Sequence, residues 1–128
     1  MTDCAAMRFA PPAPNLLVVD DVPANLSVLL DALRGAGGRV LVAESGESAL
    51  ELLPNIVPDL VLLDVRLPGM DGFATCARMK RDGRWSELPV IFLTSLDEPG
   101  EKVRAFAAGA VDYVTKPIEP AEVVARVD

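Results

Sequence analysis

The chain has 128 residues, the size of one domain able to bury a real core. Hydrophobic residues make up 51% and aromatics only 5%, which suits helices packed on a Val/Leu-rich sheet better than an aromatic-rich β-sandwich. A formal net charge of -7 argues against nucleic acid as a direct partner, since phosphate backbones demand Lys/Arg surfaces.

Residues Met1–Pro14 are rich in Pro and Ala and lack the basic start and long apolar stretch of a signal peptide. They read as a flexible arm ahead of a domain spanning residues 15–128. Leu16–Asp20 is a short apolar run that reads as a buried strand. Pro23 suits the first turn of a helix, and Leu26, Leu29, Leu30 and Leu33 follow at i, i+3, i+4, i+7. Gly35, Gly37 and Gly38 end that helix; coming after a helix and not a strand, they read as a C-cap instead of a nucleotide-binding loop. Arg39–Ala43 is a second strand, and Ser45 caps a helix over Gly46–Leu53.

Asp59–Leu63 is a third strand leading straight into Asp64. Leu67–Gly72 is turn chemistry, and Asp71 caps a helix over Gly72–Arg81. At its end Arg78, Lys80, Arg81 and Arg84 form a short basic patch, read as a solvated helix terminus. Val90–Leu93 is a fourth strand, and Val103, Phe106, Ala107 and Ala110 repeat the amphipathic spacing in a fourth helix. Val111–Thr115 is a fifth strand, and Pro120 opens a last helix of about two turns. Strands so evenly interleaved with helices predict an α/β fold, (βα)5, around a parallel sheet. The short last helix predicts that the chain is a fragment or the first domain of a longer protein. Cys4 and Cys76 have no CxxC spacing, so neither zinc nor a disulfide framework is supported; this usage suits a reduced, cytoplasmic protein. No apolar run approaches the ~20 residues of a membrane span.

Four strand ends each deliver a polar group: Asp20 and Asp21, Asp64, Thr94 and Ser95, and Lys116 before Pro117. In an open parallel sheet, ligands bind at the carboxyl ends of the strands, so these scattered residues converge. Three converging carboxylates repel one another unless a hard cation joins them, and Mg²⁺ favours carboxylates, a backbone carbonyl and retained waters. Asp21 alone is explicable as a helix cap; Asp20 and Asp64 are not. Asp64 is the candidate nucleophile, since a carboxylate attacks phosphorus to give an acyl phosphate. Lys116 and the Thr94 hydroxyl would then neutralise and bind the phosphoryl oxygens.

The motifs LLVVDD, LVLLDVRLPGMDG, VIFLTS and DYVTKP, in this order and spacing, resemble the receiver domain of two-component response regulators over Asn15 to Asp128. The resemblance implies a doubly wound, flavodoxin-like five-stranded sheet of order 2-1-3-4-5. It implies an Asp64 phosphorylated by a sensor histidine kinase or a histidine phosphotransfer protein. Asp21, Asp64 and the main-chain carbonyl of Arg66 would bind Mg²⁺, with Asp20 holding a metal-bound water. Lys116 would pair with the phosphoryl group, and the Lys116–Pro117 peptide would be cis. Thr94 and Tyr113 would act as the switch, altering a face made by the fourth helix, fifth strand and fifth helix, where a homodimer or an output domain would dock. Arg66 and Leu96, two residues past Asp64 and Thr94, border the phosphoryl group and are expected to tune its lifetime.

With no histidine in the chain, the phosphoryl donor must be another molecule or domain. The leading reading is a phosphorylation-controlled switch that promotes its own phosphorylation and dephosphorylation, not a metabolic enzyme. The competing readings are a degenerate receiver acting as an unphosphorylated docking module and an aspartyl-nucleophile phosphatase. The first is opposed by the full set Asp20, Asp21, Asp64, Thr94 and Lys116. The second is opposed by Arg66, because phosphatases of the haloacid dehalogenase type carry a second acid there. No GxxxxGK[ST] or GxGxxG follows a strand, which removes kinase and P-loop readings. DVPANL and TKPIEPAEVVARV resemble receivers attached to cyclic-di-nucleotide enzymes or histidine kinases.

Overall fold

The structure, a computed structural model, describes residues 13–94, 99–115 and 120–127. Short Leu/Val runs form five parallel strands: β1 (Asn15–Val19), β2 (Arg39–Ala43), β3 (Leu60–Asp64), β4 (Val90–Thr94) and β5 (Asp112–Thr115). Their order is β2-β1-β3-β4-β5, as the resemblance implied. The intervening helices are α1 (Ser27–Gly35), α2 (Gly46–Ile56), α3 (Gly72–Arg81), α4 (Pro99–Ala107) and α5 (Pro120–Val127).

Side-chain alternation along the strands sorts the core into two layers. Leu17, Val19, Val61, Leu63, Val90 and Phe92 lie beneath α2, α3 and α4, while Leu16, Val18, Leu62, Ile91, Leu93 and Val114 lie beneath α1 and α5. Burial on both faces explains why the inner strands read as continuous apolar runs instead of alternating ones. The edge strand β2 keeps exposed Arg39 and Leu41.

Several local expectations shift. Pro23 opens a 3₁₀ turn, Pro23–Leu26, and the α-helix proper begins at Ser27. The second helix runs past Leu53 and through Pro54 to Ile56. Leu53 and Ile56 both pack on the core there, which outweighs the one backbone donor that proline removes. It ends on Val57 at φ 43°, a left-handed position usually taken by Gly or Asn.

The largest correction concerns α4. Its apolar stripe faces outward: Val103 is 68% and Phe106 49% exposed, and Ala107 is exposed as well. The small Ala105 is what packs on the sheet, and Ala110 is buried beyond the helix end.

Lys80 also leaves the solvated patch. Its Nζ donates to the carbonyl oxygens of Ser86, at 3.3 Å, and Leu88, tying the end of α3 to the approach to β4. Burial pulls this ammonium below the usual lysine range, and the nearby Cys76 works against that shift. Gly109, at φ 105°, passes so close that a Cβ there would stand 2.9 Å from Lys80 Cγ. Arg84 instead pairs with Asp82 at 2.8 Å.

Candidate functional site

Register brings the functional strand ends level. Val19 pairs with both Ala43 and Leu63, Asp64 with Leu93, and Thr94 with Thr115. The chain leaves β1 for α1 on one face and β3 for α3 on the other, so the edge between them is a topological switch point.

Asp20 extends the ladder by one residue, its N–H donating to the Ala43 carbonyl at 3.0 Å. Its Oδ1 then accepts from the Val22 N–H at 2.8 Å, an Asx turn that lifts the chain off the sheet and leaves Asp21 exposed. Asp64, the last residue of β3, is 5% exposed, and its Oδ1 accepts from the Arg66 N–H at 3.2 Å. Gly72 closes the following loop by donating to the Val65 carbonyl at 2.8 Å. A Cβ on Gly72 would run into the Asp64 carbonyl and stand 2.9 Å from Val65 Cα, so only glycine lets α3 begin this close to β3.

The outcome is a cluster in which carboxylate oxygens of Asp20, Asp21 and Asp64 all lie within 4.8 Å of one another, two of the three residues being buried. An all-oxygen set of three acids, two buried and one exposed, fits a hard divalent cation that keeps some of its waters. Thr94, 5% exposed, ends the neighbouring strand β4 at the same edge. Tyr113 on β5 is half-buried, its ring edge-on to Phe106 of α4 at 6.0 Å and 83°. Lys116, Pro117, Ser95 and Leu96 lie outside the described residues, as does most of the N-terminal arm.

Beside the cluster opens a pocket of about 610 Å³ whose walls include Asp21, Arg66, Leu67, Asp71, Phe73 and Arg104. Arg66, two residues past Asp64, is one of these walls. Phe73 and Arg104 went unnoticed in the sequence: the Arg104 guanidinium lies 4.3 Å above the Phe73 ring, a cation–π contact between α4 and α3. No spacing rule links the two, because they meet only through the packing of separate helices.

Away from this edge, Cys76 is fully buried and its thiol donates to the Ala108 carbonyl at 3.2 Å. Burial pushes that thiol up, with Lys80 opposing.

The family model of the response regulator receiver domain matches residues 16–128. This chain belongs to that family. A receiver is a phosphoacceptor signalling domain of two-component systems and not a classical enzyme. The chain is 40% identical over 113 residues to the response regulator PleD of Caulobacter vibrioides, covering 88% of this chain and 25% of that protein. It is 40% identical over 114 residues to the DNA-binding dual master transcriptional regulator RpaA of Synechocystis, covering 89% and 47%. The receiver thus spans about a quarter to a half of the length of these curated relatives. Among solved structures, a putative response regulator from Chloroflexus aurantiacus superposes with a TM-score of 0.86 at 42% identity, covering 90% of this chain and 94% of the other. The chemotaxis protein CheY4 of Vibrio cholerae gives 0.83 at 27% identity, covering 91% and 99%. Among the described residues, no helix is long and apolar enough to cross a membrane.

Proposed function

We propose that this receiver is a phosphorylation-controlled switch of a two-component phosphorelay, with Asp64 as its phosphoacceptor. The observation that carries the reading is the carboxylate cluster: oxygens of Asp20, Asp21 and Asp64 within 4.8 Å of one another, with Asp64 at the end of a buried strand. Asp21, Asp64 and the main-chain carbonyl of Arg66 would hold Mg²⁺, with Asp20 acting through a water. When bound, Mg²⁺ supplies positive charge against the phosphoryl oxygens. The Asp64 carboxylate attacks phosphorus, the Thr94 hydroxyl hydrogen-bonds a phosphoryl oxygen, and Lys116 pairs with another. The donor is a sensor histidine kinase or a histidine phosphotransfer protein, encountered in the cytoplasm. Arg66 and Leu96 border the product and tune its lifetime.

Thr94 and Tyr113 carry the state outward to the face of α4, β5 and α5. The contact of Tyr113 with Phe106 and the exposure of Val103, Phe106 and Val111 support a docking role for that face, toward an output domain, a partner or a second copy. Residues 15–128 form the receiver and residues 1–14 an arm.

The test is incubation with Mg²⁺ and a small acyl phosphate, read by intact mass, with Asp64→Asn in parallel. One added phosphoryl group that requires Mg²⁺ and is missing in the variant is expected. A wild type that gains nothing, or a variant that still gains the group, refutes the assignment.

A further inference from the structure

The Arg66 carbonyl sits on the loop of residues 65–71, between the end of β3 and the start of α3. Two backbone bonds tie the ends of this loop: the Val65 N–H donates to the Leu93 carbonyl at 3.3 Å, and the Gly72 N–H to the Val65 carbonyl at 2.8 Å. Its outer side is supported by another element, the first turn of α2. Gly46 is buried there, and a Cβ on it would run into Thr75 Oγ1 and stand 3.2 Å from the Met70 carbonyl oxygen. The neighbouring Glu47 lays its carboxylate against Gly69, whose φ is 72°; a Cβ on Gly69 would meet Glu47 Oε2 at 3.1 Å.

Thr75 has little freedom to step aside. It is fully buried, and its Oγ1 donates to the Asp71 carbonyl at 2.8 Å, an oxygen that also accepts from the Thr75 N–H at 2.9 Å. A β-branched side chain on a helix has few alternative rotamers. A methyl group at Gly46 would therefore push on the first turn of α3 and on Met70. Gly72 passes that push inward, because it lies so close to the Asp64 carbonyl and Val65 Cα that no Cβ fits between them. The next residue is Arg66, whose N–H donates to Asp64 Oδ1 at 3.2 Å. Packed atoms thus run without a gap from α2 to the acid cluster.

We propose that Gly46 and Glu47 are positioning residues for the divalent cation. By closing on Gly69, Met70 and Thr75 they hold the loop so that the Arg66 carbonyl is presented to the cluster; this rests on Asp20, Asp21 and Asp64 forming a Mg²⁺ site. Groups that stand behind metal ligands and fix their aim commonly change affinity by about 10–100-fold.

The test is the dissociation constant for Mg²⁺, from a titration of the whole chain followed by amide NMR. Only signals of the folded protein are read, so a loss of stability that leaves the chain folded does not move the constant. Gly46→Ala is expected to weaken binding about tenfold. Adding Thr75→Ala removes the hydroxyl that the new methyl meets, and should return the constant to within about threefold of wild type; two independent losses would add instead. Glu47 is exposed, so Glu47→Ala does not threaten the fold and decides the matter if Gly46→Ala does not fold. It is expected to weaken binding about threefold, the scale of one exposed polar contact, while Glu47→Gln keeps the contact without the charge and binds as wild type does. Gly109→Ala, at φ 105° by the other end of α3, controls for stability and should leave the constant unchanged. A wild-type constant in either Gly46→Ala or Glu47→Ala overturns the proposal. So does the absence of recovery in the double variant, an equal weakening in Gly109→Ala, or an equal loss in Glu47→Gln and Glu47→Ala. A wild-type chain that binds no Mg²⁺ removes the cation site itself, a result distinct from a shifted constant.

Discussion

Along α3, Phe73, Cys76 and Met79 turn inward onto the sheet, Asp71 caps the first turn by accepting from the Ala74 N–H at 2.8 Å, and Lys80 ties down the last. Along α4, on the same face of the sheet, Val103 and Phe106 turn outward and, among the described side chains of the helix, only the small Ala105 is fitted into the core. Both helices show apolar residues at helical spacing, yet the stripe of α3 holds the domain together and that of α4 does not. A periodic pattern says that a helix is two-sided. Which side meets the core is decided by whatever packs next to it, and α4 leaves Val103 and Phe106 exposed.

Truncation of equivalent side chains tests this contrast most directly. Met79→Ala removes a fully buried side chain and should cost about 2–5 kcal/mol of unfolding free energy in urea. Val103→Ala should fall within about 0.5 kcal/mol of wild type in the same titration. Similar losses for the two would erase the distinction between the helices.

A second substitution probes where α4 does meet α3. Gly109→Ala puts a Cβ at φ 105° and against the Lys80 side chain, so it should cost about 1–3 kcal/mol by thermal or urea unfolding. A neutral result would mean that the two helices are not held together at this corner.

The smallest effect lies just past the end of α3. The Arg84 guanidinium, hydrogen-bonded to Asp82, holds the Asp82 carboxyl down to about 2, below its ordinary value of 3.8. A carboxyl lowered in the folded state stabilises it above the unfolded value, and that contribution fades as pH falls from about 4 to about 2. The pair is exposed, so Asp82→Asn should flatten the acid limb of a melting-temperature profile only slightly, and added salt should remove the difference. A large effect that resists salt would contradict an exposed pair.

What could be read from the sequence was whatever a strand or a cap carries with it. Asp20, Asp64 and Thr94 directly follow or end an apolar run, so strand placement was enough to locate them. Asp71 and Ser45 announced their helices because capping is a contact within three residues, and both caps are made as expected. The strand order came with the family resemblance, not from periodicity. Hidden from the sequence were features decided between elements: the outward turn of Val103 and Phe106, the stacking of Arg104 on Phe73, and the burial of Lys80. The end of α2 was hidden for another reason. The sequence reading ends that helix at Leu53, yet packing of Ile56 carries it to a β-branched residue in a conformation that local preference disfavours.

The pairing of β1 with β3 also governs when the acid cluster can exist as the chain is made. Those strands are fastened at their start by the Asn15 N–H on an Asp59 carboxylate oxygen, a contact between residues 44 positions apart. Asp20 and Asp21 leave the ribosome before β3 does, beside a strand whose second partner has yet to be synthesised. Until β3 emerges and docks, β1 has an open edge and the third carboxylate has no place in space. Parallel pairings closed across whole helices form slowly compared with local contacts. The acid cluster therefore needs the middle of the sheet zipped shut before its third carboxylate can join the other two.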